Sequence, residues 1–183
     1  ELAKENGYAT GHFGKWHLGT LTKTMKDANR GRPGDSSHYS PPWDNGFDEC
    51  FSTESKVPTF DPMQKTRKTL AKVSIDKKSK PAAPKRWNNR NTGSKVSPYG
   101  THYFTGPDKV ETQNLQGDDS RVIMDRAVPF IKRCAKSQTP FFAVIWFHAP
   151  HRPCVAGPRH QALYKNLPVK DRHYLGCVTA MDE

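Results

Sequence analysis

The run PFFAVIWF, Pro140 to Phe147, constrains the fold more than any other stretch of this chain. It is continuous, apolar and rich in β-branched and aromatic residues, and it ends abruptly in HAPHRP. A parallel strand buried on both faces has this composition. In the preceding segment, DDSRVIMDRAVPFIKRC, Val122, Ile123, Ala127, Phe130 and Ile131 recur at helical spacing. Asp118 or Asp119 is placed to cap its start. Pro129 removes a backbone donor well inside that segment and predicts a kink. Beyond the polar loop, Tyr174, Leu175, Val178 and Met181 mark a last helix with a one-sided apolar stripe. Helix, buried strand, polar loop and helix in succession predict an α/β fold.

Earlier in the chain, residues 1–6 fit a helix end closed by Gly7. YATGHFGK reads as a short strand running into a Gly-marked turn. Residues 20–60 keep no sustained period and read as loops with short elements around NGFDECFST. The opening residues resemble the tail of a helix already under way and HYLGCVTAMDE a helix cut off mid-course, so we expect an internal piece of a longer protein. No window reaches the roughly 18 apolar residues of a membrane span. Cys50, Cys134, Cys154 and Cys177 are too far apart for a CxxC site, which leaves one or two disulfides or four buried thiols open.

The net charge of +11 belongs to one segment. Between Met63 and Gly100 stand eleven Lys or Arg and a single acid, Asp76, which accounts for nearly all of the excess. This Lys-, Pro- and Asn-rich stretch reads as an exposed insertion at about 63–100 within a single domain. Its bases, with Trp87 and Tyr99, suit either a solvated loop or a non-catalytic polyanion-binding surface. No RNA-recognition, zinc-finger or helix-turn-helix pattern accompanies them, so nucleic acid is not an expected partner.

Two polar clusters follow directly after predicted strands: GKWH, Gly14 to His17, and HAPHRP, His148 to Pro153. In α/β sheets, ligands gather beyond the carboxyl ends of the strands, so both clusters are expected to project into one site. Lys15 and His17 offer a fixed cation and a titratable donor suited to sulfate, phosphate or carboxylate. Gly14 permits close backbone approach and Gly19 releases the chain. The bland alternative is a surface lysine beside a loop-capping histidine. In the second cluster two prolines stiffen the loop around His151, a candidate proton donor to a leaving oxygen. His148 fits either a site role or a histidine satisfied by carbonyls at a strand end. No Ser-His-Asp set and no HExxH spacing is present.

GYATGHFGKWHLG resembles the second signature of the formylglycine-dependent sulfatases through Gly7, Tyr8, Thr10, Gly14, Lys15, Trp16 and His17, with Phe13 where a smaller aliphatic is usual. PFFAVIWFHAPHRP is similar to that family's strand ending in a Pro-His-x-Pro loop. DDSRVIMDRAVPFI and VTAMDE resemble the helices on either side. NGFDECFSTESKVPTFDP and YGTHYFTGP resemble bacterial carbohydrate sulfatases. The resemblance implies an alkaline-phosphatase-like α/β fold and hydrolysis of a sulfated glycan in the periplasm or outside the cell. It further implies a formylglycine nucleophile and a calcium ion. Lys15 would bridge the sulfate and the nucleophile, His17 would help expel sulfate, and His151 would protonate the leaving alcohol. His102 and Arg152 are candidate sugar contacts.

The Cys/Ser-x-Pro-x-Arg motif of the nucleophile is absent from these 183 residues, and Cys154, followed by VAGPR, does not match it. The nucleophile is therefore expected outside this chain. The resemblance implies that the calcium ligands also lie outside it, so that no metal site within these residues and no activity from the piece alone are expected. Short of sheet neighbours, PFFAVIWF would then be exposed and prone to aggregate. A phosphonate or phosphate monoester hydrolase of the same superfamily is the nearest competing reading, and a pseudo-enzyme stays open.

Overall fold

The computed structural model describes residues 2–65 and 97–183. Most of the basic insertion expected at about 63–100, Trp87 included, lies outside the described residues. The chain enters through a single helical turn, α1 (Leu2–Glu5), closed by Gly7 at φ 76°. Five strands follow: β1 (Ala9–Lys15), β2 (Glu49–Thr53), β3 (Tyr103–Gly106), β4 (Lys109–Val110) and β5 (Phe141–Trp146). They form one sheet in the order β4-β3-β2-β1-β5. The β2–β1–β5 part is parallel, and β3 and β4 are added antiparallel, so the sheet is mixed. Three helices complete the described fold: α2 (Asp119–Lys136), α3 (Pro158–Leu163) and α4 (Val169–Asp182). Of these, the short α3 has no counterpart in the sequence reading.

Alternation along β1 divides the core between the two faces of the sheet. Phe13 joins Phe51 and Tyr103 beneath Val122, Ile123, Ala127 and Phe130 of α2. On the other side, the His12 ring packs edge-on against Trp16, Phe47 and Trp146. Trp16, Leu21 and Phe104 form the second cluster there, covered by Met25, Trp43 and Phe47 of the loops between β1 and β2. Those loops are anchored: the Trp16 indole N–H donates to the Ser40 carbonyl at 2.7 Å.

Three expectations need correction. β5 is not buried on both faces. It is the last strand of the described sheet, and Phe142 and Trp146 are 49% and 44% exposed. Composition reports a strand's apolarity, whereas its position in the sheet depends on pairings that composition does not contain. Second, α2 continues unbroken through Pro129. The proline is exposed, and so is Asp125, the residue whose carbonyl it cannot serve. Third, α4 buries His173, Gly176, Cys177 and Ala180 and leaves Tyr174 exposed. Small residues set that face: a Cβ at Gly176 would stand 2.7 Å from the Ala156 Cβ. The Ala156 N–H donates to His173 Nδ1 at 3.1 Å across the same contact.

Asp118 caps α2, its carboxylate accepting from the backbone N–H of Ser120 at 3.0 Å. All four cysteines are free thiols, with Cys154 only partly buried.

Candidate active site

The parallel strands bring three chain segments to one rim. Lys15 pairs in register with Thr53, and Gly14 with Trp146. The Trp16 N–H donates to the Thr53 carbonyl at 2.8 Å, which fixes the residues after β1 against those after β2. Gly14, at φ 107°, lies so close to β5 that a Cβ there would collide with the Trp146 carbonyl oxygen. Two residues on, His17 turns the chain with φ 54°, a left-handed conformation uncommon outside glycine. Its imidazole is exposed at the rim. Partial burial and the positive charges of Lys15 and Arg30 hold its pKa below the ordinary histidine value; His151 acts in the same direction and Glu54 opposes them. The electrostatic surroundings of His17 thus contain Lys15 and His151, the other two candidates of the sulfatase-like motifs.

His151 rides on the loop after β5. Its N–H donates to the His148 carbonyl at 2.6 Å, and its Nδ1 meets the Arg152 carbonyl at 2.7 Å. A carbonyl only accepts, so Nδ1 carries a proton and Nε2 is left for a ligand. The loop is anchored by His148, which is buried and held by side chains rather than by carbonyls at the strand end. Its Nδ1 donates to Asp119 Oδ2 at 2.7 Å, and its Nε2 meets the Thr53 hydroxyl at 2.8 Å. Asp119 also accepts from the Tyr103 hydroxyl at 2.7 Å. Burial, reinforced by the Asp119 charge, pushes the Tyr103 pKa upward, so the phenol keeps the proton it donates. This network ties β2, β3, β5 and the start of α2 together beneath the rim.

The two candidate sugar contacts are placed differently. His102 Nδ1 donates to Asp27 Oδ1 at 2.8 Å, and the backbone N–H of His102 donates to the same oxygen. Asp27 is buried, and burial raises its pKa against the lowering effect of His102. The His102 ring is thereby fixed by Asp27, whose carboxylate also feels the charge of Glu54. Arg152 is exposed, and its charge acts on Cys154.

Two residues at this rim were not among the candidates, although Glu54 lies within the NGFDECFSTESKVPTFDP stretch. Glu54, directly after β2, is wholly buried and accepts from Arg30 Nε at 2.8 Å. Its position after a strand, like that of GKWH and HAPHRP, was the available signal. Arg30, in an irregular loop, offered none.

The residues present do not fit a calcium ion. Among the described residues no group of three or more His, Cys, Asp or Glu is arranged to hold a metal. Of the buried acids near the rim, Glu54 is engaged by Arg30 and the Asn29 N–H, and Asp119 by His148 and Tyr103. Asp27 accepts from His102 at Oδ1 and keeps only its buried Oδ2 without a partner among the described residues, one oxygen where a calcium ion needs about six or more.

The sulfatase family model matches residues 1–183. No curated protein matches the chain. Among solved structures, i-CgsB in complex with k-i-k-neocarrahexaose is 24% identical, with a TM-score of 0.58, and the match covers 99% of this chain and 33% of that one. The PsFucS1 sulfatase from Pseudoalteromonas sp. is 18% identical with a TM-score of 0.51, covering 97% of this chain and 31% of its own. The chain thus spans about a third of the length of the solved structures it matches. These likenesses establish a shared α/β fold, and the family match covers every residue from the first to the last: the chain belongs to the sulfatase family.

Proposed function

We propose that this chain supplies the anion-binding and leaving-group side of a sulfuric ester hydrolase acting on a sulfated carbohydrate. The observation that carries the reading is the gathering of Lys15, His17 and the His151 loop around the carboxyl ends of adjacent parallel strands. The Lys15 ammonium offsets negative charge developing on the sulfate oxygens. His17, kept toward its neutral form by burial and by the cations beside it, is suited to take a proton from a hydroxyl at the reacting centre. His151, with Nδ1–H held by the Arg152 carbonyl, donates from Nε2 to the leaving alcohol oxygen when protonated.

His102 and Arg152 are proposed to meet the sugar, His102 with its ring orientation fixed by Asp27. A carbohydrate substrate is supported by the similarity of the flanking segments to carbohydrate sulfatases and by the carbohydrate in the i-CgsB complex. Calcium and a formylglycine nucleophile are proposed as contributions from outside these residues, with a periplasmic or extracellular setting. On this reading the isolated chain is inactive.

Full-length protein assayed on matched aryl sulfate and aryl phosphonate esters tests the reading. Preferential hydrolysis of the sulfate is expected. Turnover of the phosphonate alone would move the chain to phosphonate hydrolysis. Tight polyanion binding with turnover of neither ester would make it a binding protein.

A further inference from the structure

Resting on the sulfatase reading, we infer that Arg30, clamped by the buried Glu54, is a further substrate-binding residue whose guanidinium takes an anionic oxygen of the ester beside Lys15.

The argument begins with the ion pair. A guanidinium that serves only to neutralise a carboxylate tends to dock two parallel N–H groups on its two oxygens. Arg30 does not. Only Nε reaches Glu54, at Oε1, while Oε2 accepts the Asn29 N–H at 3.2 Å. Arg30 Nη2 is shielded from solvent and has no hydrogen-bond partner among the described residues. A screened donor on a charged group, left without an acceptor, is costly in a native structure. An oxyanion arriving at the exposed side of the guanidinium supplies the missing acceptor once the group turns Nη2 toward it.

Placement agrees with this role. Glu54 directly follows Thr53, the register partner of Lys15, so the clamp stands next to the anion-binding lysine. The Arg30 side chain remains 36% exposed while Glu54 is 1% exposed, so the pair has a fixed inner end and an open outer end. The charge of Arg30 also reaches His17. Glu54 holds the guanidinium at Nε before any ligand arrives, which lowers the ordering cost of binding.

The test uses full-length protein with Arg30→Gln and Arg30→Lys. KM and kcat are measured on a small aryl sulfate, Ki for inorganic sulfate, and thermal stability with and without sulfate. In Arg30→Gln, KM and the sulfate Ki are expected to rise about tenfold or more, in line with loss of a charge-assisted hydrogen bond. Arg30→Lys should fall between, because it keeps the charge and loses the fork. A purely structural Arg30 would lower the melting temperature and leave Ki and KM within twofold, and that result overturns the inference while the sulfatase reading stands. If the wild type neither hydrolyses aryl sulfate nor is stabilised by sulfate, the reading itself falls, and the inference with it. Should sulfate stabilise a wild type that shows no turnover, the same comparison of sulfate affinity between wild type and variants decides for or against Arg30.

Discussion

His12 and His17 stand five residues apart, and their surroundings push both imidazoles toward the neutral form for different reasons. His12 is sealed among Trp16, Phe47 and Trp146, with Nδ1 against the Ser52 hydroxyl at 2.7 Å. Burial lowers its pKa to about 4. Below the unfolded value of about 6.5 the unfolded chain takes up the proton first, so this group's stability contribution is complete above that pH. The contribution is lost as pH falls from there to about 4, and amounts to about 3 kcal/mol by the linkage relation. Denaturant melts of His12→Gln should show a shallower decline over that window than wild type. His17 answers to its neighbours as well as to burial. Lys15→Met removes a cation that disfavours its imidazolium, so an NMR titration should find the His17 midpoint moved upward, with no change if the two groups are not neighbours. The GKWH letters made this pair legible, because chemistry and spacing are both written in the motif. Arg30 was illegible: its partner Glu54 lies 24 residues away, and only folding brings them together.

At the scale of elements, α2 was readable almost to the residue, since capping by Asp118 and a 3.6-residue apolar repeat are local properties. Its proline was misjudged because the cost of a lost backbone bond depends on which side of the helix meets solvent. With Pro129 exposed and the helix already regular, Pro129→Ala restores the missing donor without new packing. Stability measured by urea unfolding should rise by about 1 kcal/mol or more; a fall would mean the ring contributes packing on that face. In α4 the apolar repeat pointed to the wrong face, because the contact with the 154–160 segment is made by glycine, alanine and histidine rather than by large side chains. β5 was legible as a strand from its composition, which pointed to burial on both faces. Its exposure followed only from the expectation that its sheet neighbours lie outside the chain, for strand order is set by long-range pairing.

At the scale of the whole chain, that outer strand is the expected site of self-association. Phe141, Phe142 and Trp146 leave apolar surface along the side of the described sheet where pairing stops. Such a border recruits other chains. Placing a charge there, as in Phe142→Lys, should lower light scattering by the isolated 183-residue chain at equal concentration, whereas unchanged scattering would locate self-association elsewhere. The α/β class and the shared rim were legible because strand ends and polar clusters alternate in the sequence. The Asp119–His148–Thr53 network was hidden, since its members come from three separate segments. One bare position joins these scales. Any side chain at residue 14 would act as a wedge between the first and last strands, shifting the lysine on one bank relative to the histidine loop on the other. Spacing between those banks is therefore fixed by hydrogen atoms on a single carbon, and the first and last strands cannot part at their ends without loosening the sheet's own centre.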